Sequence, residues 1–221
     1  MKKQLLLLST IALSTFAMAQ TTPSFGIKAG VSSSTIKGEA VNSLNGLIDY
    51  ANDAITSNSR TGFFAGGNVS IPVGESFSIE PGVYYAQKGY ELRGELNIKG
   101  AEFIGANAKA QLQSHYIDVP VLLKANVGGF QVFAGPQVSY LAKADLRTTA
   151  GVFGFNVFNR KMDASEELNR WDAGITGGIG YQFNNGFNLS ASYDHGLSKV
   201  DANKSFDAYN RSFKIGAGFR F

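Results

Sequence analysis

The last nine residues, Phe213–Phe221, read FKIGAGFRF. Phe213, Ile215, Ala217, Phe219 and Phe221 take every second position. Ser212, Lys214, Gly216, Gly218 and Arg220 fall between and beside them. A two-residue period describes a β-strand with one apolar and one polar face. The strand stops on a phenylalanine, with no polar tail to carry it into water. The rest of the chain must explain an apolar face that runs to the last residue.

The same alternation recurs seven times upstream. SFGIKAGVSSSTI puts Phe25, Ile27, Ala29 and Val31 on one face, and TGFFAGGNVSIPV puts Phe63, Ala65, Val69, Ile71 and Val73 there. FSIEPGVYYAQKGYE contributes Phe77, Ile79, Pro81, Val83 and Tyr85, and HYIDVPVLLKANV contributes Ile117, Val119, Val121, Leu123 and Ala125. FQVFAGPQVSYLAKA follows with Phe130, Val132, Ala134, Val138 and Tyr140. WDAGITGGIGYQF and FNLSASYDHG bring Trp171, Ala173, Ile175, Ile179, Tyr181 and Phe183, then Phe187, Leu189, Ala191 and Tyr193. With the closing stretch there are eight segments.

The connections alternate in length. GES, GG and NNG are tight hairpin turns. The others are long, at about 37–58, 93–112, 146–168 and 198–207. An even number of strands places both termini at the tight-turn end. Aromatics are sorted by height: Phe77, Phe130, Phe183, Phe187 and Phe221 beside the tight turns, Trp171, Tyr140 and Tyr193 near the long loops. A soluble β-fold such as a lipocalin-like barrel also alternates, but gives no reason for two aromatic belts. The pattern predicts an all-β fold: an eight-stranded antiparallel up-and-down transmembrane β-barrel of the bacterial outer membrane. Its last strand closes against its first, which removes both sheet edges. An aromatic C-terminal residue also resembles the signal read by the outer-membrane assembly machinery.

The first residues agree with that destination. MKKQLLLLSTIALSTFAMAQ has two lysines, an apolar run too short to span a bilayer, and the small-residue pattern AMA. The expectation is a signal peptide over residues 1–19, cut between Ala19 and Gln20, and one barrel domain over 20–221. Loss of Lys2 and Lys3 lowers the net charge from +3 to +1, which is no nucleic-acid signature. Without cysteine there is neither a disulfide nor a lipidated N-terminus.

The opposite face carries Lys28, Glu80, Lys88, Asp118, Lys124, Lys143, Asp172, Asp194, Lys214 and Arg220. Eight strands enclose an interior that side chains fill, so these charges require partners. Matching heights on adjacent strands pairs Glu80 with Lys124, Lys88 with Asp118, Lys143 with Asp172, and Asp194 with Lys214. The pairs read as a structural polar core or as a gated ion or proton path.

Catalytic and metal signals are absent from this pattern. The two histidines, His115 and His195, share the lipid-facing parity, and no HExxH or clustered ligand spacing occurs. The loops hold only scattered Asp49, Asp53, Asp163, Glu166 and Glu167. The expectation is therefore a non-enzyme without cofactor or metal. In the third loop, Phe153, Phe155 and Val157 alternate within GVFGFNVF. They read as a hairpin rising beyond the membrane, or as an apolar edge for a partner by β-augmentation. Leu47, Ile48, Ala51 and Ile55 in the first loop have helical spacing and read equally as a short amphipathic helix or as an ordinary loop.

YAQKG at 85–89 and YIDVPVLLK at 116–124, with the segments around them, resemble the outer-membrane β-barrel domain of Bacteroidota, often called PorT-like. The likeness covers nearly the whole chain after residue 19. It implies the same barrel and, through the founding member, assistance to protein secretion across the outer membrane. It supplies no functional residues. The expected partners are outer-membrane lipid, the barrel assembly machinery during insertion, and envelope or secretion-complex proteins, with the barrel itself a monomer and both termini periplasmic. The expected roles are structure or interaction through the outer loops, with secretion accessory and small-solute pore as alternatives.

Overall fold

A computed structural model describes residues 22–39, 55–97, 105–152, 155–203 and 207–221. The signal-peptide boundary at Ala19 and Gln20 lies outside them, as do Leu47, Ile48 and Ala51 of the proposed amphipathic helix, and Phe153. Ile55 opens a strand instead.

The strands in chain order are β1 (Ser24–Lys37), β2 (Ile55–Pro72), β3 (Phe77–Asn97), β4 (Gly105–Val127), β5 (Phe130–Val152), β6 (Phe155–Asp163), β7 (Trp171–Gln182), β8 (Phe187–Lys199) and β9 (Tyr209–Arg220). Every pairing is antiparallel. Eight strands form a closed ring, β1-β2-β3-β4-β5-β7-β8-β9, sealed where β9 pairs with β1. The terminal amide of Phe221 donates to the carbonyl of Phe25 at 2.8 Å and completes that seam. β6 stands outside the ring and, among the described residues, pairs with the upper half of β5 alone.

Side-chain direction follows the period. Phe25, Ile27, Val31, Val83, Leu123, Val132, Ile175, Ile215 and their neighbours point outward and are exposed to the surroundings. From Phe130 to Tyr140 this band runs ten residue steps along β5. At about 3.3 Å per residue and a tilt near 40° it stands about 25 Å tall, the height of an outer-membrane hydrocarbon band. Aromatic pairs bracket it: Tyr181–Phe183 and Phe219–Phe221 below, with ring centroids 4.9 and 5.3 Å apart, and Tyr140–Trp171 above, at 5.0 Å. The tight turn between β4 and β5 uses Gly128 and Gly129 at φ 56° and 87°. Both lie in the left-handed region that two-residue hairpins demand.

Above the band the loop expected at 93–112 is corrected, while at 146–168 the hairpin offered for GVFGFNVF is what forms. Both connections are largely strand. β3 and β4 continue to Asn97 and from Gly105, and β5 and β6 form a hairpin whose register brings Val152 opposite Phe155. No lipid asks for a continuous apolar outer face there, and apolar residues such as Leu146, Phe158 and Met162 stand among Arg147, Arg160 and Lys161, so the alternation is weaker while the backbone ladder continues. The result is a five-stranded sheet, β2-β3-β4-β5-β6, rising over one side of the barrel. Among the described residues the wall made by β7, β8, β9 and β1 ends lower.

Candidate functional site

The lumen is the place where the chain concentrates chemistry within a membrane-spanning body. Its side chains lie in layers. Nearest the tight turns is an open vestibule of about 770 Å³, lined by Ser24, Ser70, Ser78, Gln131, Gln182 and Arg220 among others. Above it the Nζ of Lys124 donates to Glu80, an ion pair between adjacent strands. The Lys124 and Lys28 ammonium groups both sit over the Phe133 ring, at 5.7 and 5.6 Å from its centroid. Each gains a cation–π contact in place of lost water.

The next layer is one connected network. Asp118, fully buried, takes Lys88 on Oδ1 and Lys214 on Oδ2, each at 2.9 Å. Lys214 also reaches Asp194 at 2.6 Å. Thr176 Oγ1 lies 2.9 Å from Asp194 Oδ1 and 3.0 Å from Gln137 Oε1, one of which takes its proton. Ser139 Oγ accepts from Lys88 Nζ at 3.1 Å and from Gln137 at 3.2 Å. Six of the eight ring strands contribute. Partners of both signs offset the desolvation that a lone buried charge would suffer.

Three of the four paired charges anticipated from the sequence are thus adjacent: Glu80 with Lys124, Lys88 with Asp118, and Asp194 with Lys214. The fourth expectation is corrected. Lys143 does not meet Asp172. A bulge between His115–Lys143 and Tyr116–Leu141 inserts one extra residue into β5. Leu141 keeps the inward parity of Ser139, and beyond the bulge the parity reverses, so Ala144 points inward and Lys143 points out. Lys143 pairs with Asp145 at 3.4 Å on the outer face. Asp172 is instead held by Asn210, whose Nδ2 donates to Oδ2 at 2.8 Å. The second oxygen of Asp172 has no hydrogen-bond partner among the described residues. A cavity of about 10 Å³ touches Asp172, Lys88, Asp194 and Asn210, which is room for a single water.

Adjacent-strand matching could not find the Asp118–Lys214 bridge, because β4 and β9 are not neighbours and the contact crosses the lumen. Nor did it find the inward aromatics Phe64, Tyr84, Phe133 and Tyr116. They share the parity of the charges and glycines, which is the signal that could have placed them. A Cβ on Gly216 would come within 2.6 Å of the Phe64 ring, and one on Gly178 within 2.7 Å of the Phe133 ring. The glycines on this face are the space into which the rings fit.

Above the network the interior becomes apolar. Ile36, Leu112, Tyr116, Leu141, Ala144 and Val200 form one buried cluster, with Tyr90, Ala164, Leu168 and Ala208 against it. The connections after β6 and β8 fold inward to complete it. Asn169 N donates to Val200 O at 2.7 Å, Ala202 N to Glu167 O at 3.0 Å, and the Ser165 hydroxyl accepts from Ala144 N at 2.9 Å. This layer caps the lumen at the long-loop end.

Other anticipated residues stay apart from the lumen. His115 and His195 lie on the outer face, the first against the Tyr85 hydroxyl and the second beside Tyr193. Asp163 ends β6 and accepts from Ser165 N at 2.8 Å, and Glu166 and Glu167 belong to the turn that follows. Asp49 and Asp53 lie outside the described residues. Phe155 and Val157 belong to β6. Among the described residues no three His, Asp or Glu side chains come together as metal ligands.

The model of the outer membrane protein beta-barrel domain matches residues 18–202. The chain belongs to this family. An outer-membrane barrel accounts for the lipid-height apolar band, the two aromatic rows and the closed ring together. No curated protein matches the sequence. Similar solved structures include Ail, the attachment invasion locus protein of Yersinia pestis, at 16% identity over 90% of this chain and 98% of that one, TM-score 0.42. Neisserial surface protein A is similar at 14% identity over 90% and 97%, TM-score 0.45. OprG from Pseudomonas aeruginosa is similar at 15% identity over 91% and 97%, TM-score 0.42. The barrel assignment rests on the strand pairing above and not on these superpositions.

Proposed function

We propose that this outer-membrane barrel is a non-enzymatic protein whose role is structural or interactive, carried by the sheet at its long-loop end, with that end outside the cell and both termini in the periplasm. The observation that carries this reading is the contrast between a filled lumen and an extended outer sheet. The lumen holds a charge network below and an apolar cap above, and among the described residues these two layers fill it. The outer sheet, by contrast, continues β3, β4 and β5 well past the membrane band. β6 pairs on only one side among the described residues, and an unpaired strand edge suits a partner that adds a strand.

The resemblance to the PorT-like domain of Bacteroidota supports a second reading, an accessory to protein secretion. The open polar vestibule at the tight-turn end favours it, since a periplasmic partner could enter there. Affinity capture of the folded protein from its own membrane separates the two. A co-purifying secretion complex, with secretion impaired in a deletion strain, selects the second. Surface partners that are lost when the β5–β6 hairpin is trimmed select the first.

A further inference from the structure

Lys143, Arg147 and Lys161 form a basic cluster on the outer wall, directly above the Tyr140–Trp171 ring pair. We infer that this cluster binds the phosphate groups of a glycolipid in the facing leaflet. The inference rests on the outer-membrane location and on the long-loop end facing outward.

The bulge in β5 is the first observation. Without it, strict alternation would turn Lys143 into the lumen. With it, the lysine leaves the barrel three residues beyond Tyr140, at the depth where headgroups begin. Bulges characteristically re-aim a side chain.

The second observation is how the bases are held. Asp145 takes Lys143 on one carboxylate oxygen at 3.4 Å and Lys161 on the other at 3.2 Å. Both lysine side chains nevertheless remain more than half exposed, at 54% and 61%. The acid fixes the two ammonium groups side by side and leaves their other N–H donors facing out. Arg147 stands directly across from Lys161 in the β5–β6 register, and its Nε donates to Asn159 Oδ1 at 3.1 Å. Like charges directly opposite on a sheet repel. An anion shared between them removes that repulsion. Asp163, cross-strand from Asp145, accepts from the Ser165 backbone, so three bases face outward against two engaged carboxylates.

The third observation is the surface just beneath. Tyr140, Trp171 and the apolar band below them continue without a break into the hydrocarbon region. A ligand that places phosphate on the cluster therefore has acyl chains against that band. This favours an anchored amphiphile over a soluble anion.

The test uses the full barrel in nanodiscs of neutral phospholipid, with a bis-phosphorylated lipid A-type glycolipid added to both leaflets, so barrel orientation does not affect it. Retained glycolipid is counted by native mass spectrometry. The phosphorylated form should be retained at least about tenfold over its dephosphorylated counterpart, and the triple variant K143Q/R147Q/K161Q should lose about tenfold or more. The double variant K143R/K161R should keep binding. Circular dichroism and heat-modifiable gel migration show that each variant is folded. Equal retention by the triple variant, equal retention of the dephosphorylated lipid, or displacement by free inorganic phosphate would each overturn the inference. Thiol labelling of N159C on intact cells is read separately. A label blocked there would overturn the orientation and leave the binding result standing for the cluster itself.

Discussion

Asp118 is the residue on which the lumen network turns. Both of its oxygens are engaged, by lysines from β3 and β9, and no solvent reaches it. Replacing it with asparagine keeps the shape and removes the charge, leaving Lys88 and Lys214 facing each other with one fewer counterion. The expected loss is roughly 3–5 kcal/mol, softened where Asp194 still holds Lys214. Urea unfolding of the barrel in lipid vesicles measures it, and a loss within the scatter of surface variants would mean that water screens the layer. Glu80 and Lys124 give a cleaner pair, since each is the other's ion-pair partner on adjacent strands. Glu80→Gln and Lys124→Met should each destabilise, and the double variant should recover part of the loss. Strict additivity would show that the contact carries no coupling energy.

At the scale of an element, two features invite tests. The first is ring-over-glycine packing between strands. Valine at Gly216 would run into Phe64, so Gly216→Val should cost about 1–3 kcal/mol by overpacking. Combining it with Phe64→Ala should cost less than the sum of the two changes, because the added methyls enter the space the ring vacates. A sum equal to the parts would place the strain in the backbone, where Ala29 O also approaches at 3.0 Å. The second is the β8–β9 connection, clamped above the aromatic row by Lys199 Nζ to Asp207 Oδ1 at 2.6 Å. The hydrogen bond from Lys199 holds the Asp207 carboxyl below its ordinary range, and the same bond raises the Lys199 ammonium. The depressed acid contributes stability above its unfolded value, near 3.9, and loses it as pH falls through the folded value. The raised base contributes below its unfolded value, near 10.4, and loses it as pH rises through the folded one. Protection of the Val200 amide, which donates to Ala208 O at 2.8 Å, should therefore be level at neutral pH and fall toward both extremes. Asp207→Asn should abolish the acid-side fall; a fall that persists in that variant would assign it to another group.

For the whole molecule, the consequence of a filled interior is electrical silence. Purified barrel in planar bilayers is expected to show no large, steady conductance, because the charge network and the apolar cap lie in series across the lumen. An open pore that passes sugars would mean that the inward-folded connections at 164–170 and 200–203 leave the mouth in the membrane. Among the described residues the molecule is also lopsided. Its outer sheet rises over β3, β4 and β5 while the opposite wall stops near the aromatic row. A partner that approaches the long-loop end meets that broad surface.

Alternation in segments such as Phe213–Phe221, the three tight turns and the two aromatic rows were enough to define a closed barrel and its lipid-facing side. These are local properties: a two-residue period depends only on strand geometry, and a lipid boundary acts on each strand alike. Inward charges were equally legible, and neighbours in the ring could be matched by height because adjacent strands run antiparallel from a known turn. Three features needed the folded chain. The bulge at Leu141–Lys143 reversed parity in β5, and nothing in LAKADL marks one extra residue. The Asp118–Lys214 bridge crosses the lumen between strands that share no ladder, so no register argument reaches it. The apolar cap joins Ile36, Leu141 and Val200 from distant parts of the sequence, and only barrel closure brings them to one height.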